Sequence, residues 1–339
     1  MQPISKARAR EILDAASGEE IAVLGDVMLD RYFWGSVSRV SPEAPVPVVD
    51  VDSETFHLGG AANVASNLKG LGVKPLLIGV VGDDATGKLL KQIAAEEGLD
   101  ASGIVTSVGR PTTVKTRVIG NNQQVVRLDR ETREAVATSV IDEVESNLAG
   151  RMNLKGIIFE SYDKGFLSIA LVARVVALAR SRKIPVFVDP KRDSFFAYKN
   201  AFVFKPNRKE AQDALQISLN TEADVHAAGR MLLDKLEAEN VLITLGSEGM
   251  MLFERNGRVS SVPTVAKRVA DVSGAGDTAI ATIAAAISGG ATIGEAATLA
   301  NFAAGVVVAE PGIVSVTSSL LLNAIQEEDL QIIESKLRD

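Results

Sequence analysis

The 339-residue sequence contains no cysteine, which excludes a disulfide framework, a thiolate zinc site and a cysteine nucleophile together. His57 and His226 are the only histidines, too few for a multi-histidine metal centre of the zinc-hydrolase kind. A basic balance is missing too: 36 Lys and Arg against 43 Asp and Glu leave a net charge of −7, the opposite of what general nucleic-acid binding needs. Nor is there an apolar run of the ~20 residues that a membrane span requires. The longest stretch, Ala279 to Ala309, is alanine-rich and interrupted by Gly289-Gly290 and Glu295, so it predicts two small-residue helices packed inside the protein. Met1 to Glu20 carry Lys6, Arg8 and Arg10 but no apolar segment of the signal-peptide kind. The expectation is a cytoplasmic protein with neither a membrane nor a nucleic-acid partner. What the chain does have is 46% hydrophobic residues with only 4% aromatics, enough to bury a large core. Its length allows two domains or one large α/β domain with an appendage.

Short β-branched runs alternate with helical patterns over most of the length. Ile21–Gly25, Leu76–Val81, Gly156–Phe159, Val186–Val188, Phe202–Phe204 and Val241–Leu245 predict strands buried on both faces. Ala61–Leu71, Gly87–Glu97, Phe166–Arg182, Asn207–Leu215 and Glu222–Glu239 predict the helices between them. The pattern implies βαβ units and a mostly parallel sheet, followed by a hairpin around Asn256-Gly257. Two segments break the alternation. Arg31–His57 carries Pro42, Pro45 and Pro47 among alternating valines, and Thr112–Leu128 folds back at Gly120-Asn121-Asn122. Together they could make a small separate sheet.

Four motifs could carry chemistry. Asp271-Val-Ser-Gly-Ala-Gly-Asp277 precedes a small-residue helix, and a Gly-Ala-Gly turn there exposes backbone N–H groups at the positive end of the helix dipole. It would suit a phosphate or the oxyanion of phosphoryl transfer, with Asp277 beside the reacting oxygen; the alternative is a helix cap. Gly59-Gly60-Ala-Ala-Asn63 opens another helix and is either a ligand contact or a tight strand-to-helix connection. In Lys205-Pro-Asn207-Arg-Lys-Glu210, Asn207 and Glu210 either form a capping box or hold a hydrated Mg²⁺ near phosphates. Asp26 and Asp30 follow the first strand, where two carboxylates suit polyol hydroxyls; a chance acidic loop is the alternative. A Walker lysine loop and a strand-following G-x-G-x-x-G are both missing.

In this order, the four motifs resemble the ribokinase-like (PfkB) carbohydrate kinases, with likeness from Gly25 to about Ser315. The resemblance implies a three-layer α/β/α core with a mostly parallel sheet and a small β-sheet lid. Residues 1–30, 58–111 and 128–339 would form the core, and 31–57 with 112–127 the lid. It further implies ATP as co-substrate, Mg²⁺, Asp277 as general base, and Gly274, Ala275 and Gly276 as an anion hole. Asp30, Gly59, Gly60 and Asn63, with Asp26 beside them, would bind sugar. Asn207 and Glu210 would organise Mg²⁺ and phosphate, and Thr244, Gly246 and Asn301 would meet the nucleotide. Relatives hold a monovalent cation such as K⁺ near Asp271 and Ser273; here the segment Glu310-Pro311-Gly312 departs from the ribokinase pattern.

Gly25–Val48, Gln124–Asp129 and Val188–Lys191 are further similar to the D-glycero-β-D-manno-heptose-7-phosphate kinases. That likeness implies phosphorylation of the anomeric hydroxyl to the 1,7-bisphosphate, in the route to ADP-heptose and lipopolysaccharide core. No His-x-Gly-His signature of the nucleotidyltransferase fused to many of these kinases is present, so the expectation is a kinase alone, with the transferase on another chain. Ser161 stands where those kinases carry an acid before the tyrosine, which opens the possibility of an altered sugar preference. A sugar phosphate needs cationic donors for its distal phosphate, and Arg127, Lys164 and Lys191 are the candidates, each otherwise an ordinary solvated surface charge. Exposed lid edges could also pair two subunits. The competing functions are another sugar kinase of the family, for ribose, fructose or a sugar acid, and a non-catalytic sugar- or nucleotide-sensing module. Retention of Asp277, Asn207 and Glu210 weighs against the latter.

Overall fold

The computed structural model describes residues 3–266, 268–310, 312 and 314–325. Its strands are β1 (Glu20–Gly25), β2 (Val27–Val40), β3 (Pro47–Gly60), β4 (Lys74–Gly82), β5 (Asp100–Ser107), β6 (Val114–Gly120), β7 (Gln123–Arg130), β8 (Leu154–Glu160), β9 (Val186–Asp189), β10 (Val203–Phe204), β11 (Asn240–Thr244), β12 (Met250–Glu254) and β13 (Val259–Val262). Its helices are α1 (Lys6–Ala16), α2 (Ala61–Gly70), α3 (Ala85–Glu96), α4 (Thr138–Ala149), α5 (Ile169–Arg182), α6 (Arg208–Leu215), α7 (Glu222–Leu236), α8 (Ala275–Ser288), α9 (Ile293–Val308) and α10 (Ser318–Ala324).

Nine strands form one sheet in the order β13-β12-β11-β10-β9-β8-β1-β4-β5. It is parallel except at β12, which runs antiparallel to both neighbours. Side chains alternate between the faces of a strand. In β1, Ile21 and Val23 therefore enter the core under α1, α2, α8 and α9, while Ala22 and Leu24 enter the core under α4, α5 and α7. Burial on both faces is why these strands read as continuous apolar runs. The alanine-rich stretch is α8 and α9, packed in the interior as expected.

The two irregular segments do form a second, four-stranded sheet in the order β3-β2-β6-β7. β2 is antiparallel to β3 and parallel to β6. β6 turns into β7 through Asn121 and Asn122, both at positive φ (51° and 63°), a two-residue hairpin turn that Asn tolerates. The strands reach further than the irregular sequence pattern did, because Val27, Met28 and Leu29 and then Leu58 are buried and look like core residues. Asp30 and Gly59 thus lie on lid strands, and the Asp30 side chain is on the face that carries Lys115 and Arg117 of β6.

Candidate active site

Ligands of open α/β sheets bind at the carboxyl ends of strands. Here four adjacent strands finish on polar groups: β8 in Glu160, β9 in Asp189, β10 just before Lys205 and β11 in Thr244. Helix α8 starts over them. Gly274, at φ 78°, is its N-cap and makes no side-chain capping bond. A Cβ on Gly276 would sit 3.3 Å from Asp189 Oδ2 and 3.5 Å from Lys205 Nζ, so glycine lets those groups approach the helix entrance closely. Asp277 lies in the first turn but does not cap it. Its Oδ2 accepts from Asn63 Nδ2 at 2.7 Å and its Oδ1 from the Tyr162 hydroxyl at 3.0 Å. The capping alternative fails for this aspartate.

Asp277 forms the floor of a cavity of ≈ 480 Å³ beneath the lid, lined also by Asp30, Gly59, Gly60, Asn63, Lys115 and Arg117. The paired glycines are required by close approach: a Cβ on Gly59 would collide with the Asp30 carboxylate, and one on Gly60, at φ 63°, with the Asp26 carbonyl. Asp30 is ion-paired to Arg117. Asp271 and Ser273 reach the same cavity, and Ser273 N donates to Asp271 Oδ1 at 2.9 Å. That bond, and one from the Gly312 backbone, hold the Asp271 carboxyl below its ordinary range. Pro311, in the segment that departs from the ribokinase pattern, lies outside the described residues.

Burial pushes the Asp277 carboxyl up to about 6; Asp189 adds to the rise, while Asn63, Tyr162 and Lys205 oppose it. A carboxylate poised near neutrality is what a general base requires. Glu160, Asp189 and Asp277 hold carboxylate oxygens within 4.8 Å of one another. Lys205 supplies the counter-charge, 2.7 Å from Asp189 Oδ2. Among the described residues neither oxygen of the buried Glu160 has a hydrogen-bond partner, and burial with Asp189 and Asp277 nearby drives its carboxyl well above the usual range. Ser161, where the resemblance implies an acid, turns its hydroxyl toward Asp163 Oδ1 at 3.5 Å instead.

A second, largely apolar cavity of ≈ 350 Å³ adjoins the first. Thr244, Gly246 and Asn301 line it, as do Ala275 and Gly276 of the α8 turn, whereas Gly274 faces the lid cavity. An apolar cleft with a few polar groups is the usual form of a small-molecule site. Asn301 spends its amide donor on Pro263 O at 2.7 Å. Asn207 and Glu210 make the capping box: Glu210 N donates to Asn207 Oδ1 and Asn207 N to Glu210 Oε2, both at 2.8 Å. Glu210 Oε1 also accepts from Lys191 at 2.5 Å. The pair is thus tied into the start of α6 and to Lys191.

Four residues lie elsewhere than the sequence suggested. Asp26 does not line the lid cavity; its buried carboxylate accepts the backbone N–H groups of Tyr162 (2.8 Å), Lys164 (3.1 Å) and Phe166 (3.4 Å) and pins the loop after β8. Of the three cations proposed for a distal phosphate, Lys164 is paired with Glu131 at 2.7 Å and Lys191 with Glu210. Arg127 bonds Asp129 at 3.0 Å and, although opposite Arg117 in register, lies one strand further from the cavity. The cations that line it are Lys115 and Arg117. Sequence reasoning also missed Tyr162, Glu160, Asp189 and Lys205 as site residues. Asp189 and Lys205 stand at the edges of motifs already singled out, and Tyr162 follows the Ser161 of the loop resembling the heptose kinases, whereas nothing local marks Glu160.

The pfkB family carbohydrate kinase model matches residues 19–319. Bifunctional protein HldE of Geobacter sulfurreducens is 42% identical over 307 residues, covering 89% of this chain and 62% of that protein. HldE of Paramagnetospirillum magneticum is 39% identical over 328 residues, covering 96% and 67%. The chain therefore spans roughly two thirds of the length of these relatives. Among solved structures, phosphofructokinase-2 from Escherichia coli in complex with potassium has a TM-score of 0.74 at 18% identity, over 93% of this chain and 99% of that one. Ribokinase of Arabidopsis thaliana complexed with ribose and ATP has a TM-score of 0.70 at 21% identity, over 91% and 98%. These last two speak for the fold: a parallel α/β core with a β-sheet lid. With its family signature across the core and an ionisable carboxylate at the entrance of α8, the chain belongs to the pfkB family of carbohydrate kinases and is a phosphotransferase.

Proposed function

We propose that the protein transfers the γ-phosphoryl group of ATP to the anomeric hydroxyl of D-glycero-D-manno-heptose 7-phosphate, yielding the 1,7-bisphosphate. The observation that carries this reading is a single cavity holding both a buried base and two lid cations, Asp277 with Lys115 and Arg117. A sugar with a phosphate at one end and a reacting hydroxyl at the other needs both. The 39–42% identity to HldE proteins over most of the chain supports the same substrate.

In this scheme Asp277 accepts the proton of the attacking hydroxyl, and the N–H groups of the Gly274–Gly276 turn stabilise charge on the phosphoryl group in flight. The base of ATP fits the apolar cavity beside Thr244, Gly246 and Asn301. Asn207 and Glu210 would hold Mg²⁺ through water; the ion supplies charge neutralisation at the phosphates. Asp271 and Ser273 would hold K⁺, so activity in K⁺ should exceed that in Na⁺. Trp34, Val40, Val46, Val51, Val126 and Leu128 are exposed on or beside the lid strands and suit a second copy of the chain. The product calls for a nucleotidyltransferase activity downstream.

The test is Asp277→Asn. A positioned base contributes ~10²–10⁴-fold, so kcat should fall by about that factor while ATP binding persists. A variant retaining more than about a third of kcat would remove Asp277 from the chemistry.

A further inference from the structure

We infer that Tyr162 is a positioning residue for the base: its phenolic O–H fixes one oxygen of Asp277 so that the carboxylate meets the acceptor hydroxyl in a single orientation. The role of Asp277 as base is taken from the function proposed above.

Tyr162 is held at three points that come from different parts of the chain. Its backbone N–H donates to Asp26 Oδ2 at 2.8 Å. Two ammonium groups lie near its ring, Lys115 Nζ from the lid at 5.3 Å and Lys191 Nζ from the core at 5.6 Å, within cation–π distance. Its hydroxyl is 3.0 Å from Asp277 Oδ1. The other Asp277 oxygen is taken by Asn63, so the carboxylate has a donor on each oxygen and cannot swivel. Each oxygen keeps a further lone pair for the substrate.

The hydroxyl can only donate. Burial, and then the charges of Asp277, Glu160 and Asp189, hold the Tyr162 phenol well above its ordinary range, so it stays protonated wherever the enzyme works and does not compete as a base. The groups around Asp277 act in opposite directions. Burial and Asp189, with Glu160 beside it, favour the protonated acid, whereas Asn63, Tyr162 and Lys205 favour the carboxylate. Removing the phenol donor should therefore leave the base looser and more often protonated at neutral pH. Such preorganised donors act without reorganising during the reaction.

Tyr162→Phe deletes the O–H alone; the ring near the two lysines and the backbone bond to Asp26 remain. The variant is assayed with Mg·ATP and the heptose 7-phosphate across pH, beside Asp277→Asn. The loss of a hydrogen bond to a charged group predicts a fall in kcat/KM for the acceptor of ~10–100-fold. The acid limb should move to higher pH, with KM for ATP within about threefold of the parent. ¹³C-carboxylate NMR of the free enzyme, in which the Asp277 signal is the one missing from Asp277→Asn, should show Asp277 titrating at higher pH in Tyr162→Phe. An unmoved titration and an unmoved acid limb overturn the inference while leaving Asp277 as base if Asp277→Asn is crippled. If Asp277→Asn stays active, the base assignment falls instead, and the NMR titration still decides whether Tyr162 controls this carboxylate.

Discussion

Lys115 is the residue on which substrate choice should turn. It stands on β6 facing the lid cavity, partly buried, with the Tyr162 ring 5.3 Å from its ammonium and no ion-pair partner among the described residues. Burial depresses its proton affinity, and the nearby cations Lys164 and Arg117 add to the effect; Asp30 and Asp129 oppose it. An under-compensated ammonium in a half-closed cavity is costly for the empty protein and favourable once an anion arrives. A charged hydrogen bond to a phosphate contributes about 1.5–3 kcal/mol, and each 1.4 kcal/mol is about a factor of ten. Lys115→Met should therefore lower kcat/KM for heptose 7-phosphate by ~10–150-fold and change kcat/KM for unphosphorylated heptose far less. Because the folded protein keeps Lys115 less basic than the unfolded chain does, protonated Lys115 detracts from stability below its folded pKa. Lys115→Met should thus melt no lower than the parent at neutral pH. Continuous ADP-release assays on both acceptors, with a thermal melt, measure all three quantities. Equal losses on the two acceptors would show that Lys115 shapes the cavity rather than recognising phosphate.

Two further outcomes follow from buried carboxylates. Asp277 is raised from 3.8 to about 6, so its contribution to stability is fully present below pH ~4 and lost as pH rises through about 6, a cost of about 3 kcal/mol at neutrality. Asp277→Asn, though inactive, should melt higher than the parent at pH 7–8, with the gap shrinking in acid; a gap independent of pH would contradict the sign. Asp26→Ala strips an acceptor from three backbone donors of the loop after β8 and should lower stability by about 2–4 kcal/mol in denaturant titrations; an unchanged midpoint would deny it the pinning role.

Asp277 and the Gly274–Gly276 turn were legible because the chemistry is packed into one contiguous motif at a helix start. The parallel core was legible because strands buried on both faces lose their polar alternation. The lid's distal cations were not. Residues 115, 117 and 119 share one face of β6, and that periodicity is visible, but only tertiary packing says which face roofs the cavity. Arg127 is opposite Arg117 in register but is exposed and bonded to Asp129. Glu160 reads as the polar end of an apolar run, and it becomes a site residue only because β8, β9 and β10 all end at the same level. Tyr162 depends on Asp26, a residue 136 positions away, for its place. No local pattern encodes such a contact.

Whether a phosphorylated heptose is the acceptor is settled by turnover of an acceptor panel by the unmodified protein with Mg·ATP. The panel contains heptose 7-phosphate, unphosphorylated heptose, ribose, fructose and fructose 6-phosphate. Efficient ADP release is expected with heptose 7-phosphate, with product phosphorylated at the anomeric carbon and poor turnover of the rest. Equal turnover of the phosphorylated and unphosphorylated heptose, or a preference for ribose or fructose, would contradict it.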